Sequence, residues 1–202
     1  LTFSALEDAE IRLMDIDQGL IKSVKDKIRS NHKIFINKGL MTPEELEGLL
    51  DRIELGTEID WAVKNADFCI ESVMENLDLK KDVFAKMDQA APEQSILASS
   101  TSAQLITEIA KVTNRPENCI ITHPLNPPHI IPVVEIVKGE LTSDKTVDLS
   151  FELLRKVGRK PYICSKEIPG FVLSRLMAAV WREALSLLDK GVASVTDIDT
   201  AI

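Results

Sequence analysis

Apolar and polar positions along the chain fall into two rhythms. Short apolar runs at residues 10–15, 53–55, 67–71, 95–99, 119–122, 133–137 and 161–164 read as strands, several of them apolar enough to be buried on both faces. Between them lie stretches with helical spacing. Residues 17–37 carry Leu20, Ile21, Val24, Ile28 and Phe35 along one face, and residues 77–90, 103–111 and 143–157 read as helices, with a helical turn at 60–64. Thr42-Pro43-Glu44-Glu45 is a strong helix start: a capping hydroxyl, a proline in the first turn, and a glutamate three residues after the cap. Strands alternating with helices over short loops predict an α/β fold, a mostly parallel sheet with helices on both faces.

The rhythm changes at Ile168-Pro169-Gly170. Residues 171–190 read as one long helix with apolar Val172, Leu176, Ala179, Val180, Ala184, Leu187 and Leu188. That stripe is wide and predicts burial on more than one side. Gly191 ends the helix, and Ser194-Val195-Thr196-Asp197 opens another with Asp in the reciprocal capping position. Pro169-Gly170 therefore reads as the junction between the α/β part and the start of an all-helical part. Both ends read as cut: residues 1–8 resemble the tail of a helix, and the glycine-rich turn that should precede the first strand is expected upstream.

Composition adds few constraints. Hydrophobic residues make up 45% of the 202, enough for a real core, and aromatics only 4%, so that core is aliphatic. Cys69, Cys119 and Cys164 are widely spaced, which suggests neither a zinc site nor a disulfide framework and fits a reduced, cytoplasmic setting. No apolar run is long enough to span a bilayer, and residues 1–10 lack the pattern of a signal peptide. A net charge of −8 argues against a nucleic-acid partner. The charge is uneven: residues 20–40 carry +5, from Lys22, Lys25, Lys27, Arg29, Lys33 and Lys38 against Asp26, leaving −13 elsewhere. This basic island is either a solvated helix face, the simpler reading, or a site for a polyanionic small molecule.

The candidate chemistry is concentrated in three segments: Ser99-Ser100-Thr101-Ser102, His123-Pro124-Leu125-Asn126-Pro127-Pro128, and Val134-Glu135-Ile136. A hydroxyl, an imidazole, an amide and a carboxylate at the ends of neighbouring strands can hold a substrate oxygen and move its proton. Taken alone, residues 99–102 also read as an ordinary helix cap. Glu135, inside an apolar run, must be paired, and His123 is its nearest sensible partner. Asp15, at the end of the first strand, is where a dinucleotide-binding unit holds ribose hydroxyls; Asp17 is a second candidate, less well placed because it should cap the following helix.

With these motifs, from Asp15 to Ile202, the chain resembles the L-3-hydroxyacyl-CoA dehydrogenase family. The resemblance is carried by residues 67–80 (DFCIESVMENLDLK), 99–102, 123–127, 132–137 and Pro169-Gly170-Phe171-Val172-Leu173-Ser174-Arg175, and by the twelve-residue spacing from His123 to Glu135. His-Pro-Leu-Asn-Pro-Pro is most similar to the lambda-crystallin branch and to carnitine dehydrogenases. The resemblance implies a Rossmann-like NAD-binding domain at residues 1–167, lacking its first strand and glycine-rich turn, and the beginning of a helical dimerisation and substrate domain at 168–202. It implies His123 as catalytic base with Glu135 as its partner, and Ser102 and Asn126 touching substrate and nicotinamide. Asp15, Glu75 and Lys80 would contact NAD, and no metal is implied. The expected reaction is NAD-dependent oxidation of an L-3-hydroxyacyl-CoA to the 3-oxoacyl-CoA by a homodimer. The alternatives are a dehydrogenase of a small hydroxy acid such as L-gulonate or carnitine, and a non-catalytic binding protein on the same fold. The basic helix would then lie where acyl-CoA members hold the CoA head. Two positions depart from the family pattern: Ser174 replaces the usual Asn, and Ser100 stands where acyl-CoA members often have Asn.

Overall fold

A computed structural model describes residue 6 and residues 9–202 of the chain; the expected helix tail at residues 1–8 falls largely outside them. Strand β1 (Ile11–Met14) leads into the long helix α1 (Gln18–Asn37), whose cap is Asp17: its carboxylate accepts from the N–H groups of Gly19 and Leu20. Helix α2 (Pro43–Asp51) opens with the capping box predicted for Thr42 and Glu45. It is followed by β2 (Ile53–Gly56), α3 (Ile59–Val63), β3 (Phe68–Glu71), α4 (Leu77–Ala90), β4 (Ile96–Ser99) and α5 (Ile106–Ala110). The chain continues through β5 (Cys119–Pro124), β6 (Val133–Val137), α6 (Asp144–Lys156), β7 (Lys160–Cys164), α7 (Leu173–Asp189) and α8 (Val195–Ala201).

The strands form two ladders. β1 pairs with β2 in parallel, and a second sheet has the order β3-β4-β5-β6-β7. All its pairings are parallel except β5 with β6, which run antiparallel. That reversal follows from the short connection over residues 125–132, which cannot accommodate a crossover helix.

The larger sheet has two apolar faces, as its strand periodicity dictates. On one face Cys69, Leu97, Cys119, Ile121 and Val137 pack with Phe84 and Met87 of α4, Ile106 and Ile109 of α5, and Phe171. On the other, Ile96, Ala98, Ile120, Val134 and Ile136 pack with Val147 and Leu154 of α6. A separate cluster of Leu46, Leu50 and Ile53 holds α2 to β2. Arg115, ahead of β5, is buried and donates to Asp88 Oδ1 at 2.7 Å and to the carbonyls of Asp88 and Ala91, closing the C-terminal end of α4. The three cysteines are buried and unpaired, and burial pushes the thiols of Cys69 and Cys119 up to about 11.

One expectation from the sequence needs adjustment, and another is left to a partner surface. Helix α5 starts at Ile106, three residues later than its pattern suggests, because Thr101 Oγ1 accepts from the N–H groups of Ala103 and Gln104 and holds that stretch as a turn. Helix α7 buries none of its residues within the chain. Much of its apolar stripe is open to solvent, Trp181 at 62% and Leu185 at 65% among it, while Leu173, Ala184 and Leu187 are half-buried, so the burial its pattern predicts is left to a surface outside these residues. No helix among the described residues is long and apolar enough to cross a membrane.

Candidate active site

On the face of the larger sheet that packs against α4 and α5, side chains turn from apolar to polar toward one end. The register makes this visible in rows. Glu71, Ser99, Ile121, Val137 and Cys164 lie side by side across five strands. In the next row stand His123, Glu135 and Tyr162. His123 and Glu135 are direct partners across the antiparallel pair, so their side chains leave the same face at neighbouring positions. Glu135 is therefore mid-strand in β6 rather than at a strand end as its pattern suggested.

His123 Nδ1 lies 2.8 Å from Glu135 Oε2. A carboxylate can only accept, so Nδ1 carries the proton and Nε2 is left as an acceptor. Ser102 Oγ sits 3.1 Å from Nε2 and donates to it. The side chain of Glu135 is fully buried. Its other oxygen, Oε1, accepts from the backbone N–H of Val172 at 3.0 Å and of Leu173 at 2.8 Å. Burial pushes the Glu135 carboxyl up, but hydrogen bonds from His123, Tyr162 and Leu173 outweigh it and hold the group below its ordinary value. Burial, and then the neighbouring Glu135 carboxylate, push the Tyr162 hydroxyl up, so that it stays a protonated donor.

The turn before α7 builds the far wall. Gly170 (φ 76°) and Phe171 (φ 49°) are both left-handed, and Phe171 N–H donates to Ile168 at 2.9 Å. A left-handed phenylalanine costs roughly 1–2 kcal/mol of backbone strain. Here it aims the first free N–H groups of α7 at Glu135 and lays the Phe171 ring edge-on against His123, with centroids 6.0 Å apart. Ser174 donates to the Ser102 carbonyl at 3.4 Å, so the same turn touches both arms of the site.

The remaining predicted residues are distributed around this centre. Asn126 is exposed, two residues beyond β5, at a cis peptide bond to Pro127. Glu75 accepts from Thr101 Oγ1. Lys80 is 1% exposed, with its ammonium 2.9 Å from Glu71 Oε1. Asp15 stands just past the end of β1; Oδ1 accepts from Asp17 N–H at 2.8 Å, and Oδ2 has no partner among the described residues. A carboxylate with one open oxygen beyond a strand end is an acceptor that fits vicinal ribose hydroxyls. His32, Phe35 and His129 form a ring cluster, with the two histidines 6.0 Å apart, which lays basic α1 beside the loop that follows His123. Arg29 of that helix is tied to Asp26 and Glu47, each at 2.7 Å. Reading the sequence assigned Glu71 and Tyr162 no role at the site; only the strand register brings them here.

Fold and site together define a class: an α/β nucleotide-binding architecture carrying a buried imidazole–carboxylate pair beside an open serine. Comparison with known proteins gives the family. The chain belongs to the 3-hydroxyacyl-CoA dehydrogenase family, residues 2–168 matching its NAD binding domain and residues 170–202 its C-terminal domain. An L-carnitine dehydrogenase of Pseudomonas putida is 43% identical over 152 residues, covering 75% of this chain and 47% of that protein. The human lambda-crystallin homolog is 36% identical over 191 residues, covering 94% of this chain and 60% of that protein. The crystal structure of (S)-3-hydroxybutyryl-CoA dehydrogenase from Ralstonia eutropha superposes with a TM-score of 0.86 at 30% identity, covering 97% of this chain and 68% of that one. The chain thus spans about half the length of the carnitine dehydrogenase it matches.

Proposed function

We propose that this chain supplies the NAD-binding part and the catalytic base of an enzyme that oxidises an L-3-hydroxy group to a 3-oxo group. The observation that carries this is the pair of contacts on one imidazole, Nδ1 on Glu135 and Nε2 on Ser102. Bound NAD supplies the hydride acceptor. His123 Nε2 takes the hydroxyl proton, Glu135 steadies the imidazolium that forms, and Ser102 and Asn126 hold the substrate oxygen and the nicotinamide side. Asp15, Glu75 and Lys80 are assigned to the cofactor. Lys80 acts there from within its ion pair with Glu71, and Asp15 favours NAD over NADP by repelling a 2′-phosphate.

The proposed division of labour gives residues 1–167 to the cofactor and 168–202 to a helical domain that pairs with a second copy. The open apolar face of α7 supports that pairing. For the substrate, the exposed lysines Lys22, Lys27, Lys33 and Lys38 of the basic helix and its C-terminal cap support a CoA thioester, with the helix along the polyphosphate. The 43% identity to an L-carnitine dehydrogenase supports a second reading, a small free hydroxy acid. A panel of 3-hydroxybutyryl-CoA, L-carnitine and L-gulonate with NAD, run on the full gene product, separates them. Turnover of one substrate well above the others assigns the class. NAD binding without turnover of any would instead support a non-catalytic protein on this fold.

A further inference from the structure

Glu71 closes β3 with a fully buried side chain that the proposed chemistry does not use. Its Oε1 accepts from Val73 N–H at 2.6 Å and from Lys80 Nζ at 2.9 Å, and its Oε2 accepts from Ser99 Oγ at 2.7 Å. Ser99 Oγ in turn accepts from the N–H of Thr101 at 3.2 Å. The backbone repeats the link, since Ser100 N–H donates to the Glu71 carbonyl at 2.9 Å. Ser100 Oγ meets Ser72 Oγ at 2.9 Å, and Thr101 Oγ1 reaches Glu75. Residues 99, 100 and 101 are therefore each fixed from Glu71 or the segment that follows it, and the next residue is Ser102, whose hydroxyl meets His123 Nε2.

A buried ion pair is a weak source of stability, because desolvating both charges offsets most of their attraction; well-packed apolar side chains commonly serve as well. What Glu71 does that an apolar residue cannot is accept from three separate segments at once: the loop after β3, helix α4, and the end of β4. Lys80, its ammonium 2.9 Å from Oε1, gives the buried carboxylate a fixed counter-charge. The turn it holds has no helical support of its own, since α5 begins only at Ile106 and has no side-chain cap.

With His123 as the base proposed above, we infer that Glu71 is a positioning residue: its carboxylate, through Ser99 and Thr101, sets where Ser102 stands against the imidazole. Glu71 touches neither substrate nor base. Its effect on the reaction passes through Ser102.

The test follows the ring-nitrogen resonances of His123 by isotope-edited NMR in the full chain, beside steady-state kinetics. Ser99→Ala cuts the link to Thr101 and leaves the Lys80–Glu71 pair intact, so it reads the link even where Glu71→Gln fails to fold. Ser102→Ala defines the Nε2 shift caused by losing the serine contact. Ser99→Ala is expected to move Nε2 in the same direction and to add nothing further in the Ser99→Ala/Ser102→Ala double variant. It is also expected to lower kcat by about tenfold while KM for NAD changes by less than about twofold, the pattern of a misplaced group rather than of lost binding. An Nε2 resonance in Ser99→Ala identical to that of the unmodified chain overturns the inference, as does an equal loss of kcat with and without Ser102. Absence of turnover in the unmodified protein overturns the dehydrogenase reading alone, because the NMR comparison reads the positioning without it.

Discussion

Leu173 donates its backbone N–H to Glu135 across 38 residues of sequence, at 2.8 Å. The carboxylate that orients the imidazole is thus also the anion seated at the start of α7, where unpaired N–H groups and the helix dipole favour negative charge. One buried group joins the sheet that carries His123 to the helix that follows the Pro169-Gly170 turn.

That double duty makes Glu135→Gln informative. With Oε1 kept by the α7 N–H groups, the amide presents its NH2 to Nδ1. The imidazole then takes the other tautomer, and Nε2 becomes a donor that cannot accept a proton. Turnover in the full-length enzyme should fall by at least about 100-fold, the scale of losing a general base. His123→Ala should fall by a similar factor. Rates of NAD reduction within about twofold of the unmodified enzyme for either variant would remove the dyad from the mechanism.

Acid should destabilise the chain partly through Glu135. Its carboxyl titrates below the ordinary glutamate value when folded, so its contribution to stability is fully present above that ordinary value and is lost as the pH falls through the folded one. Thermal melts of the unmodified chain and of Glu135→Gln should differ most at neutral pH and draw together as the pH falls below the ordinary glutamate value. Parallel melting curves across the whole range would contradict this.

Cofactor choice should depend on Asp15. The unmodified enzyme is expected to prefer NAD, and Asp15→Ala to narrow the ratio of kcat/KM between NAD and NADP. Equal use of both cofactors before mutation counts against Asp15 as the ribose residue.

The core of the larger sheet should be sensitive to volume. Phe84 is completely buried between α4 and the sheet, so Phe84→Ala is expected to cost about 3–5 kcal/mol, measured by denaturant titration. Loss of under ~1 kcal/mol would mean that this face collapses around the cavity.

Helix α7 exposes Leu176, Trp181 and Leu185. Sedimentation of the full-length protein should show a dimer, and Trp181→Glu with Leu185→Glu should shift it toward monomer. A monomer before mutation would rule out the proposed pairing.

The sequence made the elements of this fold legible where the signals are local. Thr42 and Glu45 announced α2, Asp17 its role as the cap of α1, and Ser194 with Asp197 the start of α8. Glu135 was readable as a paired carboxylate because an unpaired charge in Val133–Val137 is too costly. Relations across strands were not readable. Nothing local to Glu71 or Tyr162 shows that β3 ends beside Ser99 or that β7 sets a phenol beside Glu135. Likewise, a run of Ser and Thr at 99–102 looks like a cap; only the contacts of Thr101 with Ala103 and Gln104 show a turn that delays α5.

The antiparallel register of β5 and β6 sets different tolerances to insertion and deletion on either side of Pro132. Length changes within the loop at 125–132 leave the facing of His123 and Glu135 intact so long as the ladder re-forms in place. Dropping one residue from inside β6 does not, because each step along a strand reverses the face. The carboxylate would then turn toward α6, into the apolar layer now filled by Val134 and Ile136, and a methyl-bearing side chain would meet the imidazole. Loop length beyond Asn126 is therefore free to change without turning the dyad, while the count of residues from Val133 to Glu135 is not.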